Sequence, residues 1–210
     1  MTIDVEAVRG ETIAAGHALT EGVLRALFDA CAEEEGPLGP RDAPLLAILF
    51  GCGLRRAEAT ALDVADFDRE TGALSVRRGK GNKARVVYAA GAAHQAIADW
   101  LGIRGMGPGP LLHPVAKGGR IQRRRMTPQA VLWRVQQLAD RAGVARFSPH
   151  DARRAFISTL IDSGADLVTV QHRAGHANVQ TTARYDRGGE GAKKKAAGLV
   201  HIPYRRSRVE

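Results

Sequence analysis

"SPHDARRAFISTLIDSG", residues 148–164, reads as a helix that specifies its own start. Ser148 stands as the cap, Pro149 falls in the first turn, where a missing N–H costs nothing, and Asp151 occupies the capping-box position. His150 and Arg153 are three residues apart, so both project from one face of that first turn. Downstream, "DLVTVQHRA" continues as a helix that ends at Gly175, and Asn178 can cap the next helix, which carries Tyr185. His176 therefore lies in a tight corner between helices. Its nine-residue offset from Tyr185 is a placement in space and not a periodicity.

Upstream, Thr127 and Pro128 open a helix as cap and first helical residue, with Val131, Leu132, Val135 and Leu138 as its buried stripe. The long loop of residues 102–128 precedes it, with a third strand expected at "LLHP", residues 111–114, and with Arg120, Arg123, Arg124 and Arg125 near its end. An Ala-rich helix ending near Trp100 comes before the loop. Earlier still, "ALSVRR" and "ARVVYA" are β-branched runs around the turn "GKGNK", which predicts an antiparallel hairpin with Lys80 at its tip. "TEGVLRALFDAC" places Val23, Leu24, Leu27, Phe28 and Cys31 on one helical face. After the "GPLGP" break, "APLLAILFGCG" predicts a buried helix and "RRAEATAL" a shorter one. The fold class is thus mainly α with a small antiparallel β-sheet (α+β).

The 210 residues suffice for one well-cored domain, and 31 Lys and Arg against 22 Asp and Glu leave a formal charge of +9. Such an excess attracts a polyanion, and nucleic acid is the expected partner. An anionic membrane is the competing polyanion. No lipidation motif supports it, and the longest apolar run is too short to span a bilayer. The N-terminus lacks a signal-peptide core, so a cytoplasmic protein is expected. Cys31 and Cys52 form no C-x-x-C pair and are read as buried thiols.

Four motifs, in order, resemble the catalytic domain of the tyrosine recombinases, the phage integrase and Xer family. "GCGLRRAEATALDVADFD" resembles its G-L-R-x-x-E-L segment, which implies that Arg55 is the first catalytic arginine and Glu58 its acidic neighbour. "GKGNKARVV" resembles the hairpin whose first lysine, here Lys80, is catalytic. "SPHDARR" matches H-x-x-R and supplies His150 and Arg153; "AGHANVQTTARYD" matches the ending that supplies His176 and the nucleophile Tyr185. The resemblance spans residues 19–187. Each motif is weak singly, and their conjunction carries the reading. Two features depart from the family pattern. Arg154 stands where many members have a second histidine, and only residues 1–18 precede the domain, where full-length members carry a helical core-binding domain. Those residues resemble an interdomain linker, and the chain is expected to be a catalytic domain taken from a longer protein or a naturally short one.

These six side chains suit attack on a phosphodiester. A tyrosine oxygen, with an ordinary pKa of about 10, can displace a leaving oxygen at phosphorus and retain the bond energy as phosphotyrosine. Arg55 and Arg153 offer forked, always-charged donors to the non-bridging oxygens, and His150 or His176 a further hydrogen bond. Lys80 is the expected general acid toward the leaving 5′ oxygen, and His150 the candidate acceptor of the tyrosine proton. The resemblance implies attachment to the 3′ phosphate. No metal and no cofactor is expected. His172 and His176 have the spacing of helical zinc ligands, but Gly175 breaks that helix and no third ligand clusters nearby.

Taken one at a time, these residues have plainer readings: Arg55 as a solvated helix-start charge, Lys80 as turn solvation, Tyr185 as a half-buried amphipathic ring. The arginines at 120 and 123–125 read equally as a solvated face or a phosphate-contacting strip. The expected activity is site-specific cleavage and rejoining of double-stranded DNA. The family resemblance implies a synaptic tetramer and allows accessory directionality proteins. The alternatives are type IB topoisomerase-like relaxation and a DNA-binding module without recombination activity. Residues 188–210 form a tail in which Leu199, Val200, Ile202 and Tyr204 cluster and need cover; packing on its own domain is the plainer reading, and the family resemblance implies docking on a neighbouring protomer, which is the one expected.

Overall fold

The computed structural model describes residues 19–77 and 84–175. Lys80, His176, Tyr185, residues 1–18 and the tail lie outside them. The order is α1 (Glu21–Ala32), α2 (Leu38–Leu46), a π-turn (Ala47–Gly51), α3 (Arg56–Ala61), a 3₁₀ turn (Val64–Asp66), β1 (Ala73–Val76), β2 (Arg85–Tyr88), α4 (Ala92–Arg104), α5 (Pro128–Arg141), α6 (Pro149–Asp162) and α7 (Leu167–Ala174). Helices therefore dominate, and β1 and β2 pair antiparallel from Ala73 opposite Tyr88 to Val76 opposite Arg85. Side chains capture orphan N–H groups at four helix starts: Thr20 accepts from Val23, Thr127 from Ala130, Ser148 from Asp151 and Asp166 from Thr169. Asp151 also accepts the Ser148 backbone N–H at 2.9 Å, which completes the capping box.

The core joins α1, α2, α4 and α5 to the inner face of the hairpin. Leu27, Leu45, Leu46, Leu49, Leu74, Ile97, Trp100, Val131, Val135 and Leu138 are buried within it. The Trp100 indole N–H donates to the Leu111 carbonyl at 2.8 Å, so the largest core side chain leaves no polar atom unsatisfied. A smaller cluster, Phe156, Ile157, Val170 and Ala174, packs α6 on α7. Cys31 and Cys52 are both buried free thiols, and burial pushes each up to about 12. Among the described residues no helix is long and apolar enough to cross a membrane.

Three local expectations change. "LLHP" is not a strand: Leu111 and Leu112 are buried, but the neighbouring pairing is limited to isolated bridges, Asp63 with Pro110 and Val115 with Ile121. Pro110 and Pro114 bracket the segment, and neither has an N–H to give to a ladder. The second helix begins at Leu38, inside the expected break, because Pro40 falls in its first turn. The Ala-rich helix runs past Trp100 to Arg104 and stops at Gly105, whose φ of 88° lies in the region glycine tolerates.

Candidate active site

The site begins where the π-turn ends. Gly53 has φ +64°, and a Cβ there would lie 2.2 Å from Cδ1 of Phe156 on α6, so the turn needs glycine for its conformation and for its neighbour. The Leu54 N–H donates back to the Ile48 carbonyl at 3.3 Å, and the chain enters α3 with Arg55 as its cap residue. Arg153, only 3% exposed, donates from Nη1 to the Gly53 carbonyl and from Nη2 to the Ala174 carbonyl. One buried guanidinium thus stitches α6 to the turn before Arg55 and to the C-terminus of α7, where helix carbonyls concentrate negative potential.

Arg55 is held by Glu58. Its backbone N–H donates to Glu58 Oε2 at 2.9 Å, its Nη1 to Oε1 at 2.9 Å, and its Nη2 to the Gly175 carbonyl at 3.4 Å. The same carboxylate receives both guanidinium nitrogens of Arg85, Nη1 on Oε1 at 3.0 Å and Nη2 on Oε2 at 2.8 Å. Burial would raise the Glu58 carboxyl, but the hydrogen bonds from Arg85 and from the Arg55 backbone, with both charges, hold it below the usual carboxylate value. Glu58 is therefore ionised, and two arginines from different elements share it.

A cavity of about 450 Å³ opens beside this cluster, lined by Arg55, Arg56, Leu132, Ser148, His150 and Arg153 among others. Leu132, expected in the buried stripe of α5, is only half-buried and forms the apolar wall of the cavity. Partial burial, with the charges of Arg154, Arg153 and Arg55, pushes the His150 imidazole below its ordinary value against the pull of Asp151. A neutral imidazole beside two guanidinium groups can accept a proton while the arginines hold an anion.

Of the six expected residues, Arg55, His150 and Arg153 meet at this cavity. Lys80, His176 and Tyr185 lie outside the described residues. In sequence, Lys80 stands between β1 and β2, and His176 directly follows Gly175. Arg120, Arg123 and Arg124 are exposed around a shallow recess on another loop. Arg125 is exposed as well but is held by the protein: Nη1 donates to the Thr60 and Leu62 carbonyls, and Nη2 pairs with Asp63 at 2.6 Å. Sequence reasoning missed Arg85. Its signal lay in the alternation of "RVVY": Arg85 shares the inward face with the buried Val87, whereas Val86 and Tyr88 are exposed. Among the described residues no group of three or more His, Cys, Asp and Glu side chains could hold a metal ion.

The model of the phage integrase family matches residues 17–189. The chain belongs to the phage integrase family. It is 43% identical to tyrosine recombinase XerC of Chromohalobacter salexigens over 155 residues, 72% of this chain and 49% of that protein. It is 36% identical over 160 residues to XerC of Pseudomonas aeruginosa, 76% of this chain and 51% of that protein. The chain spans about half the length of these curated relatives. Among solved structures, the XerA recombinase shares the fold with a TM-score of 0.67 at 24% identity, over 89% of this chain and 65% of that one. XerH recombinase bound to its difH substrate matches with a TM-score of 0.64 at 27% identity, over 86% of this chain and 53% of that one. Mainly helical architecture with one small antiparallel sheet is common to this integrase-family chain and the recombinases it resembles.

Proposed function

We propose that this chain is the catalytic domain of a site-specific tyrosine recombinase, cleaving and rejoining DNA through a covalent 3′-phosphotyrosyl link formed by Tyr185. The observation that carries the reading is the convergence of Arg55, His150 and Arg153, from α3 and α6, on one cavity. Arg55 and Arg153 hold the non-bridging oxygens of the scissile phosphate and stabilise the charge that develops there, with His176 as a further donor. His150 takes the Tyr185 proton, and Lys80 protonates the 5′ oxygen as it leaves. Retained bond energy lets a 5′ hydroxyl from a second strand reverse the step.

Residues 19–187 form this catalytic unit, residues 1–18 act as a linker, and residues 188–210 dock on a neighbouring protomer in a synaptic tetramer on DNA. Double-stranded DNA is the substrate, in the cytoplasm, with directionality proteins as further partners. Support comes from the net charge of +9 and from the relatives named as recombinases, one of them solved on its DNA substrate. Arg120, Arg123 and Arg124 contact phosphates away from the cleavage point, with Arg125 a weaker contributor because its guanidinium is already bonded to Asp63 and to the Thr60 and Leu62 carbonyls.

The test is a randomised pool of nicked duplexes, in which cleavage releases a short strand and traps the adduct on denaturing gels. The unmodified chain is expected to form a covalent protein–DNA adduct, and Tyr185→Phe to bind the same pool without one. An undiminished adduct in Tyr185→Phe would assign the nucleophile elsewhere. Relaxation of a supercoiled plasmid without any strand exchange would replace recombination with a topoisomerase activity.

A further inference from the structure

Arg85 is a half-buried cation that the proposed chemistry leaves without a task. Its side chain is 12% exposed, and it spends both terminal nitrogens on Glu58, in the parallel two-bond geometry that fixes a carboxylate in plane and in rotation. Its Nε is buried with no acceptor among the described residues, so the fork is not held there by a network of its own. Three strands of observation meet at this side chain. Glu58 is the residue that grips Arg55 at backbone and guanidinium. Gly175, with φ +61°, packs on the Arg85 guanidinium so closely that a Cβ would sit 2.9 Å from Cζ. The Gly175 carbonyl in turn accepts from Arg55 Nη2.

We infer that Arg85 is a positioning residue: by clamping Glu58 from the strand side and seating Gly175, it fixes the direction in which Arg55 faces the cavity. A carboxylate held by Arg55 alone could rotate with it, because Arg55 caps the short helix that carries Glu58. A second fork, arriving from β2, removes that freedom. The same contact ties the strand that follows Lys80 to the residue that precedes His176. This inference rests on the proposed strand-cleaving role of Arg55.

Arg85→Lys keeps the charge and loses the fork; Arg85→Gln loses both. Two readouts on the full chain decide the matter. In ¹⁵N-labelled protein, restricted rotation about the Cζ–Nε bond gives Arg55 separate Nη signals. Arg85→Lys is expected to merge them while the backbone amide spectrum is retained. Arg55 signals that stay resolved in Arg85→Lys would overturn the inference. In single-turnover cleavage of a nicked duplex, Arg85→Lys should lower the rate at saturating DNA about tenfold or more, the scale of a displaced transition-state donor. The half-saturating DNA concentration should stay within roughly twofold, since uniform binding is not what changes. In an Arg55→Ala background the substitution should cause no further loss, because its effect passes through Arg55. Equal losses in both backgrounds would show that Arg85 acts otherwise. If the unmodified chain forms no adduct with any duplex, the cleavage reading fails, and the guanidinium spectra still report whether Arg85 holds Arg55. Arg85→Gln is read the same way wherever it folds.

Discussion

Replacing Gly53 with alanine is expected to destabilise the fold and disarm the site at once. The new methyl carbon would stand 2.2 Å from Cδ1 and 2.5 Å from Cε1 of Phe156, a ring that is 6% exposed and packed between α6 and α7. The left-handed backbone at φ +64° costs an L-residue about 1 kcal/mol, and moving a well-packed ring costs about 1–3 kcal/mol more. At about 2–4 °C per kcal/mol for a domain of this size, the melting temperature should fall by roughly 5–15 °C. Thermal unfolding followed by circular dichroism measures it. A double-mutant cycle separates the two causes: in a Phe156→Ala background the ring is gone, and Gly53→Ala should cost only the backbone share, about 1 kcal/mol. Strict additivity of the two substitutions, or a Gly53→Ala melting point within about 2 °C of the unmodified protein, would refute the clash. The Gly53 carbonyl accepts from Arg153, and Arg55 follows two residues later. Cleavage should therefore fall at temperatures where Gly53→Ala is still folded.

Lys80→Ala should cut ordinary DNA slowly but cut a 5′-bridging sulfur substrate, whose leaving group needs no proton, at nearly the unmodified rate; no rescue would remove Lys80 from the general-acid role. Because the folded His150 imidazole titrates below its ordinary 6.5, the unfolded chain binds more protons between the two values, and stability falls as pH is lowered through that window. His150→Gln should flatten that part of the curve of urea midpoint against pH, and an unchanged slope would contradict the shift. Arg125→Ala should destabilise the fold by about 1–2 kcal/mol through loss of its bonds to the Thr60 and Leu62 carbonyls, read as a lower melting temperature. Arg123→Ala should leave melting unchanged and reduce the salt slope of DNA affinity by about one, as loss of one phosphate contact requires. The reverse pattern would exchange the two roles.

What could be read in advance followed from local chemistry. Thr127 and Ser148 mark helix starts because a side-chain oxygen and an N–H three residues on are enough to define a cap, and both caps form. The pairing of β1 with β2 was legible from β-branched runs flanking turn residues. "LLHP" misled because a stretch of four residues carries no period, and Pro110 before it and Pro114 at its end decided the outcome. The three arginines at 123–125 could not be told apart, since what holds Arg125 is Asp63 and the end of α3, more than sixty residues away. Arg85 was hidden for the same reason: its partner Glu58 lies 27 residues earlier, on a helix.

The arginines of the site hold backbone carbonyls, and carbonyls leave no trace in a sequence. Arg153 reaches Gly53 and Ala174, and Arg55 reaches Gly175, across 100, 21 and 120 residues. Such contacts fix the guanidinium groups without spending carboxylates at the cavity, so the cavity keeps its positive potential for a phosphate. Glu58 is the exception, and its placement explains how that potential is tolerated. Two like charges about 4 Å apart repel by about 4 kcal/mol at an effective dielectric of 20, and Arg55 and Arg85 both contact the one carboxylate. Buried at 5% exposure, Glu58 cancels one of them and leaves the cluster with a single net positive charge. Glu58→Gln would lose that cancellation and weaken the cap on the Arg55 N–H together, so it should destabilise the fold more than Arg55→Ala, which frees the carboxylate to stay with Arg85. A larger melting loss from Arg55→Ala than from Glu58→Gln would show instead that Arg55 is the member the cluster depends on.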